Sequence, residues 1–365
     1  MPTQSAPRRR VTRFAVATLA GLASIGFSAS AVGAQSVTAP QSSGTGTSVP
    51  APSLKVAKAN MVAAPATTDL TIFWTGVVHD DNGNTVNGNK PVEAAGGCTA
   101  FTVGSEGYLA TAGHCVDESG GRTSVLVQAV EIELRSGDWT VGEEQTPVTR
   151  DQMIEYAAKH WSVNPERDVR VHVPQVAGHV TGANDHNYIS ARVVDFLAPE
   201  DGDLSLLKIE ASNLPIVELA DSSQVREGMD VLSIGFASAT GDLTDAGTPT
   251  YKDGKVSSIR TMEGGKLPVY ETSAALNPGM SGGPSVDGDG RVIGVNSFHH
   301  RDAASFNYIM PSSLLSEMLH KNGVNTAPAA ADTAYREALD AMNEGDAVTA
   351  DAKFCLLYTS DAADE

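Results

Sequence analysis

The order of apolar and polar residues between about positions 70 and 310 is typical of β-strands. Apolar residues alternate with polar ones, or fill short runs, in TAFTV (99–103), ARVVDFL (191–197), DLSLLKI (203–209), DVLSIGF (230–236), GKVSSI (254–259) and RVIGVNSF (291–298). AVEIELR (129–135) alternates in the same way and is also predicted to be a strand. Many short strands with few helices favour an all-β fold of closed antiparallel architecture.

Two segments carry helical signals instead. TRDQMIEYAAKHW (149–161) begins with Thr149 and Gln152 at the spacing of a capping box, and its apolar residues fall on one helical face. PSSLLSEMLHKNG (311–323) places apolar residues three and four positions apart and ends at Gly323. Both segments are therefore predicted to be helices.

The N-terminal region does not have the composition of a folded domain. Residues 1–34 combine a basic stretch, an apolar run and small residues before Ala31 and Ala34, which predicts an export signal cleaved after one of these two alanines. An uncleaved membrane anchor is the alternative. Residues 35–66 are rich in Ser, Thr, Ala and Pro and are predicted to be a flexible linker. The protein is expected outside the cytoplasm, without stable insertion in a membrane once the signal is removed.

The C-terminal region contains two different segments. Residues 326–354 are interpreted as a linker followed by a helical segment that is cut short, with one apolar face formed by Ala334, Leu339, Ala341 and Met342. Residues 355–365, CLLYTSDAADE, match the translation of a sequencing adaptor and are interpreted as an artefact, with a genuine acidic tail as the alternative.

Charge and composition restrict the possible partners. The formal net charge is −19 for 365 residues, which argues against nucleic acid because phosphate binding needs a basic face. Asp287 and Asp289 lie in VDGDGRV (286–292), where no glutamate follows at the position that a calcium loop requires. That segment is predicted to be a hairpin turn, and neither a metal nor a cofactor is expected.

Two cysteines flank a segment that contains a candidate base. GCTAFTVGSEGYLATAGHC (97–115) contains Cys98, and it ends with His114 and Cys115. In an exported protein these two cysteines most simply form a disulfide. The disulfide would fasten the turn that carries His114 to the neighbouring strand.

Two further segments supply a carboxylate and a hydroxyl. In EDGDLSLLKIE (200–210), Asp203 directly precedes an apolar strand, where a carboxylate becomes buried and needs a partner. Asp201 in the same loop is the exposed alternative. LNPGMSGGP (276–284) surrounds Ser281 with glycine and proline, which shape a backbone turn.

Taken together, LATAGHC, GDLSLLKI and NPGMSGGP resemble the motifs of the chymotrypsin-like serine proteases, most closely their bacterial HtrA/Deg-type branch. The resemblance covers roughly residues 70–320, and the order His, Asp, Ser distinguishes this group from other triad hydrolases. It implies two six-stranded antiparallel β-barrels, with a C-terminal helix and a helical insertion. The protease domain is expected at residues 67–325, with no PDZ-like segment after it.

The resemblance also implies a role for each candidate residue. His114 would take the proton of the Ser281 hydroxyl, and Asp203 would orient the imidazole and stabilise its charged form. The backbone N–H groups of Gly279 and Ser281 would form the oxyanion hole. Polypeptides would be the substrates.

The substrate pocket follows from the same resemblance. Its matching positions are Ala275, Leu276, Val295, Asn296 and Ser297, and they include no acid. A preference for small or medium aliphatic residues before the scissile bond is therefore predicted. The separation of His114 from Asp203 is long for this branch and predicts an insertion at about residues 120–195. This insertion leaves three other aspartates as alternatives for the triad: Asp195, Asp185 and Asp168.

Two other functions fit part of the sequence. GMSGG also matches the nucleophile motif of α/β-hydrolase esterases, but that fold needs the acid and the histidine after the serine. A protease fold that only binds its ligands would be expected to lack a triad residue, and none is missing here. An exported serine endopeptidase is the function that the sequence favours.

Overall fold

The computed structural model of the chain describes residues 54–136, 140–141, 146–147, 149–172, 179–180, 188–238, 248–262, 265–300 and 303–361. The predicted export signal lies outside these residues. The helices are α1 (Leu54–Ala63), α2 (Gly113–Val116), α3 (Glu118–Ser136), α4 (Arg150–His160), α5 (Ser312–Lys321), α6 (Ala330–Glu344) and α7 (Ala347–Asp361). Short 3₁₀ turns occupy Ala64–Ala66 and Ser222–Gln224.

The first half of the described chain forms a β-barrel. Its strands are β1 (Thr67–Gly76), β2 (Val92–Gly104), β3 (Tyr108–Thr111), β4 (Thr140–Val141), β5 (Thr146–Pro147), β6 (Glu166–His172), β7 (His179–Val180), β8 (Tyr188–Leu197), β9 (Leu204–Lys208) and β10 (Ala211–Ser212). Six of them close antiparallel in the order β1, β2, β3, β9, β8, β6. The remaining four form two small two-stranded sheets, β4 with β5 and β7 with β10.

The second half repeats this architecture. Its strands are β11 (Asp230–Gly235), β12 (Thr250–Met262), β13 (Leu267–Thr272), β14 (Pro284–Val286), β15 (Val292–His300) and β16 (Ala303–Pro311). They close in the order β11, β12, β13, β16, β15, β14, and the pairs are antiparallel. The prediction of two six-stranded antiparallel barrels is therefore confirmed.

Apolar side chains fill each barrel and the joint between the barrels. One cluster lies in the first barrel and includes Leu70, Ile72 and Leu207. A second cluster combines residues of both barrels with α5, including Phe101, Leu206, Ile234, Val295 and Leu315. Each fully buried side chain of this size contributes about 1.5–3 kcal/mol. The two barrels therefore share one apolar interface, which fixes the elements that carry the candidate site.

The prediction of a strand at residues 129–135 is wrong. This segment belongs to α3, whose fully or almost fully buried residues are Val125, Leu126, Ala129 and Val130. Their spacing of one and four positions is that of a helix face. Within seven residues the alternation of Val130, Ile132 and Leu134 imitates a strand. The segment at residues 120–195 supplies α3 and α4, and it also contributes β6 and most of β8 to the first barrel.

The prediction of a flexible linker at residues 35–66 is wrong for residues 54–66, which are helical; the rest of that segment lies outside the described residues. Ala59, Ala63 and Ala66 are buried in the apolar cluster that joins the barrels. The sequence signal was ambiguous, since alanine is common in linkers and is also the best helix former. Small residues allow α1 to lie directly against the barrel.

The C-terminal helices contact the segment that connects the two barrels. The Asp332 carboxylate accepts a hydrogen bond of 3.2 Å from the backbone N–H of Ile216, and Arg336 donates to the carbonyl oxygen of the same residue. Tyr335 donates to the Met61 carbonyl oxygen at 3.2 Å and so reaches α1. On α6, Ala338, Leu339 and Ala341 are buried, whereas Met342 is 43% exposed. Helix α7 extends through part of residues 355–365.

Several local predictions are confirmed. Thr149 and Gln152 form both hydrogen bonds of a capping box at the start of α4. Asp287 and Arg291 close a turn between β14 and β15, where the Asp287 N–H donates to the Arg291 carbonyl at 2.9 Å.

No helix in the described part of the chain combines the length and the apolar character needed to cross a membrane.

Candidate active site

Ser281 lies in the turn that connects β13 to β14, and two glycines shape this turn. Gly279 and Gly282 have φ values of +92° and +86°, a region that other residues rarely adopt. A Cβ atom on Gly282 would lie 2.1 Å from Thr111 Oγ1 and 2.2 Å from the Thr99 carbonyl oxygen. These contacts belong to the first barrel, so the turn is pressed against the neighbouring barrel at the position of the serine.

The substitution Gly282→Ala is expected to destabilise the protein by more than about 4 kcal/mol, because main-chain atoms cannot move aside for the new Cβ. Gly83→Ala is the matched control. Gly83 has φ +79°, but no atom lies within 4 Å of the place that its methyl group would take, so it reports only the backbone cost, about 1–2 kcal/mol. Thermal or urea unfolding measures both variants. Equal losses would contradict the close contact between the barrels.

Two buried polar residues hold the serine turn from opposite sides. Asn296 on β15 is fully buried, and its Nδ2 donates to the Met280 carbonyl at 3.2 Å and to the Ile234 carbonyl at 3.0 Å. Its backbone oxygen accepts from the N–H of Gly282 at 2.7 Å. Thr99 on β2 is also fully buried; its N–H donates to the Ser281 carbonyl at 2.8 Å. The backbone around Ser281 is therefore held by both barrels.

The Thr99 side chain adds a second connection between the barrels. Its Oγ1 donates to the Gly279 carbonyl at 2.8 Å and accepts from the Phe236 N–H at 2.8 Å. A buried hydroxyl with both a donor and an acceptor partner is satisfied, and removal would leave the Phe236 N–H without its bond. Thr99 therefore fixes the peptide bond between Gly279 and Met280.

His114 lies in the short helix α2, beside the disulfide that was predicted. Cys98 and Cys115 are bonded, which confirms the predicted pair. The bond joins β2 to α2, so the residue next to His114 is covalently attached to the strand that contains Thr99. Because both Sγ atoms belong to the disulfide, they cannot act as thiolate ligands, although they lie close to His114.

Asp203 precedes β9 and holds His114 at two points. Its Oδ1 accepts from the backbone N–H of His114 at 2.7 Å, and its Oδ2 lies 2.9 Å from His114 Nδ1. The carboxylate is 1% exposed, and the residue has φ +48°, a strained conformation for aspartate. Burial alone would raise the pKa of Asp203, but hydrogen bonds from His114 and Ser297 and the attraction of His114 hold that pKa below its ordinary value.

Ser297 connects the carboxylate to the serine. Its hydroxyl donates to Asp203 Oδ2, and its carbonyl oxygen accepts a hydrogen bond of 3.0 Å from Ser281 Oγ. Within the part of the chain that is described, no hydrogen bond joins Ser281 Oγ to His114. His114 is thus paired with Asp203, while the Ser281 hydroxyl is directed at the Ser297 carbonyl.

The serine turn also presents two backbone donors. Among the described residues, the N–H groups of Gly279 and Ser281 donate to no other protein group, whereas the N–H between them, that of Met280, donates to the Asn277 carbonyl at 3.0 Å. Donors that flank a hydroxyl and have no partner can bind an anionic oxygen at that position.

The predicted pocket residues occupy different environments. Ala275 is exposed and Leu276 is half-buried, so these side chains can face a ligand. Val295 packs in the apolar cluster between the barrels, and the side chain of Asn296 is fully used by internal hydrogen bonds. Ser297 is buried against Asp203. Of the three residues on β15, only Ser297 has its hydroxyl and carbonyl directed at the candidate catalytic groups.

Two of the three alternative aspartates have partners other than His114. Asp195 binds Lys321 and Asn322 instead, with the shorter contact at 2.6 Å. Asp168 pairs with Arg170 at 2.8 Å, and Asp185 lies outside the described residues. Asp203 is the carboxylate that the described structure brings to His114.

The sequence did not reveal that Thr99 and Asn296 hold the serine turn, although Asn296 was predicted to line the pocket. Both are polar residues in largely apolar strands, and the partners of their side chains are 11 or more residues away along the chain. The available signal was a polar residue at a position predicted to face a barrel interior, where an unpaired polar group would be costly.

A double β-barrel with a paired histidine and aspartate from one barrel and a glycine-flanked serine from the other defines the scaffold of a chymotrypsin-like serine hydrolase. The chain belongs to the trypsin-like peptidase domain family, whose family model matches residues 98–295.

Several relatives are serine endoproteases of the HtrA and DegP type. The chain is 36% identical over 115 residues to a probable periplasmic serine endoprotease DegP-like of Marinomonas sp. (strain MWYL1), covering 31% of this chain and 24% of that protein. It is 32% identical over 138 residues to the mitochondrial serine protease HTRA2 of Drosophila willistoni, covering 35% and 31%. The chain thus spans about a quarter to a third of the length of these relatives.

Solved structures of this type give a weaker match. The HtrA-type protease AlgW with a decapeptide is 23% identical and has a TM-score of 0.43, covering 73% of this chain and 66% of that chain. A serine endoprotease from Yersinia pestis is 18% identical with a TM-score of 0.42, covering 73% and 65%.

Proposed function

We propose that the chain is an exported serine endopeptidase in which His114, Asp203 and Ser281 form the catalytic triad. The observation that carries this proposal is the two-point contact between Asp203 and His114, since it leaves Nε2 of His114 as the ring nitrogen that can accept a proton. The family assignment and the relatives named as endoproteases support the same activity.

The first chemical step requires a movement of the serine side chain. Ser281 Oγ must leave the Ser297 carbonyl and turn to His114 Nε2, which takes its proton as Oγ attacks the carbonyl carbon of the substrate. The resulting imidazolium is stabilised by the buried Asp203 carboxylate and then gives the proton to the leaving amine. Water repeats the sequence on the acyl-enzyme and releases the second product.

The oxyanion of the tetrahedral intermediate would bind to the N–H groups of Gly279 and Ser281. Neither N–H has an acceptor among the described residues, which supports this role. Asn296 would act as a positioning residue, because the Met280 carbonyl that it holds shares a peptide plane with the Ser281 N–H. Thr99 holds the Gly279 carbonyl and so restrains the turn between the two donors. Loss of one such donor typically lowers the rate by about 10²–10³.

The substrate is proposed to be a polypeptide with a small or medium aliphatic residue before the scissile bond. Ala275 and Leu276 would contact that residue, and neither carries a charge that would attract Arg or Lys. Export is supported by the basic and apolar N-terminal segment, by the disulfide and by the relative described as periplasmic.

Labelling with a sulfonyl fluoride tests the proposal. The Ser281 oxygen is expected to attack the sulfur atom and release fluoride, since it is the hydroxyl that His114 can activate. Mass spectrometry of the digested protein should place the adduct on the peptide that contains Ser281, and casein hydrolysis should fall in proportion to labelling. Hydrolysis that continues after complete labelling, or an adduct confined to another residue, would contradict the proposal.

A further inference from the structure

We propose that Asn307 limits the size of the side chain that binds before the scissile bond. This inference rests on the proposed peptidase function and identifies a specificity-determining residue that the sequence did not suggest. The predicted preference for aliphatic residues before the scissile bond would then be a preference for short side chains.

Asn307 lies between the two segments that flank the proposed pocket. It is on β16, opposite Thr272 on β13 and opposite the backbone of His299 on β15. Its side-chain Oδ1 accepts a hydrogen bond of 3.3 Å from the N–H of Leu276, five positions before Ser281. The residue is 3% exposed. Asn307 is therefore a buried polar residue that is bonded to the segment proposed to line the pocket.

The orientation of the Asn307 amide follows from its partner. Because Leu276 offers an N–H donor, the atom that faces it must be the oxygen, and Nδ2 must point away. In the part of the chain that is described, Nδ2 has no acceptor, and no fully buried side-chain nitrogen or oxygen lacks a partner. Nδ2 therefore keeps some contact with solvent although the residue is 3% exposed, and the proposal assigns this opening to the inner end of the substrate cleft.

An amide in this position disfavours long apolar side chains for two reasons. The carboxamide occupies volume that a longer side chain would need. A long side chain would also strip water from Nδ2 without offering an acceptor, and a buried donor without a partner is unfavourable. A short side chain such as that of valine or alanine leaves this water in place.

Peptides that differ only in the residue before the scissile bond test this inference. Fluorogenic substrates with valine or phenylalanine at that position are compared by kcat/KM. Wild type is expected to have the higher kcat/KM with valine. Asn307→Gly is expected to raise the ratio of kcat/KM for phenylalanine to kcat/KM for valine by about tenfold or more. Ile293→Ala is the control, because Ile293 is a fully buried residue of the same barrel core; it should lower stability and leave the ratio unchanged.

The variant Asn307→Asp separates a specificity role from a structural one. It keeps the shape of the side chain and the acceptor for the Leu276 N–H, but it directs a carboxylate into the cleft. The ratio of kcat/KM for lysine to that for valine should therefore rise by about tenfold or more. The ratio for phenylalanine to valine should stay as in wild type. This variant decides the outcome if Asn307→Gly does not fold. The inference would be overturned by an unchanged ratio of phenylalanine to valine in folded, active Asn307→Gly, or by an unchanged ratio of lysine to valine in folded, active Asn307→Asp.

The same comparison can be made without catalysis. In a background that carries Ser281→Ala, fluorescence anisotropy measures the Kd of each peptide with and without the Asn307 substitutions. A wild-type protein that cleaves no peptide would refute the proposed function, whereas a shift in the Kd ratio on substitution of Asn307 would still support the assignment of the pocket. Equal ratios in that background would reject the assignment.

Discussion

Replacing Ser281 by alanine is expected to lower kcat for peptide hydrolysis by about six orders of magnitude, to the limit of detection. The reason is that the proposed mechanism has one covalent nucleophile, and neither His114 nor the N–H groups of the turn can form the acyl-enzyme. The fold should not change, because the Ser281 hydroxyl donates only to the Ser297 carbonyl among the described residues. Initial rates with casein or a fluorogenic peptide, together with the melting temperature, measure both statements.

Ser238→Ala is the matched control for this substitution. The Ser238 hydroxyl also donates to a carbonyl near the site, that of Pro278 at 2.9 Å, but it is exposed and forms no bond with substrate in the proposed mechanism. The backbone N–H of Ser238 donates to the same carbonyl at 2.8 Å, so this peptide stays held when the hydroxyl is removed. Its removal should change kcat less than about threefold, in line with the small cost of an exposed hydrogen bond. Comparable losses in the two variants would mean that the turn, rather than the Ser281 nucleophile, was affected.

Replacing Asp203 by asparagine is the second large effect, with an expected loss of about 10⁴-fold in kcat at neutral pH. The amide can neither stabilise the imidazolium nor keep the proton on Nδ1 of His114, so the nitrogen that faces Ser281 no longer serves as a base. Because Asn keeps the shape of Asp, the folded structure should survive. Steady-state kinetics with circular dichroism as a check on folding measures the change.

Asp195→Asn provides the control for charge loss. Asp195 also has a largely buried side chain and binds Lys321 and Asn322, but its carboxylate lies apart from His114. It should lose stability with little change in kcat. If Asp195→Asn lowered kcat as far as Asp203→Asn did, the assignment of the triad would have to be revised.

The lowered pKa of Asp203 also gives an acid dependence of stability. A carboxyl whose folded-state pKa is lowered stabilises the fold above the unfolded-state pKa, about 3.9, and this contribution is lost as the pH falls through the folded-state value. Comparison of urea unfolding at pH 7 and pH 3 should therefore show a smaller acid loss in Asp203→Asn than in wild type.

The fold and the three candidate catalytic residues were accessible from the sequence because their signals are local. Alternation over five to seven residues predicts the barrel strands, and each motif places one functional side chain beside glycine, cysteine or an apolar strand. The segment AVEIELR shows the limit of this approach: its burial pattern requires the preceding turn of α3, with Val125 and Leu126, before a helical period can be recognised.

The residues proposed to hold and limit the site were less accessible. Thr99 and Asn307 were not singled out, and Asn296 was predicted only to line the pocket. All three are polar residues within strands, and their proposed roles follow from partners far along the chain rather than from their sequence neighbours. Helix α1 was missed for a related reason. Its alanine-rich sequence resembles a linker until the barrel surface against which it packs is known.

The division of the site between two barrels has a consequence for synthesis. His114 and Asp203 belong to the half that leaves the ribosome first, whereas Ser281 and Ser297 arrive with the later half. Domains generally fold in the order in which they are made. Under the proposed mechanism, a half-finished chain holds the base without the serine that it would activate, so no peptide hydrolysis is expected before the second barrel has closed.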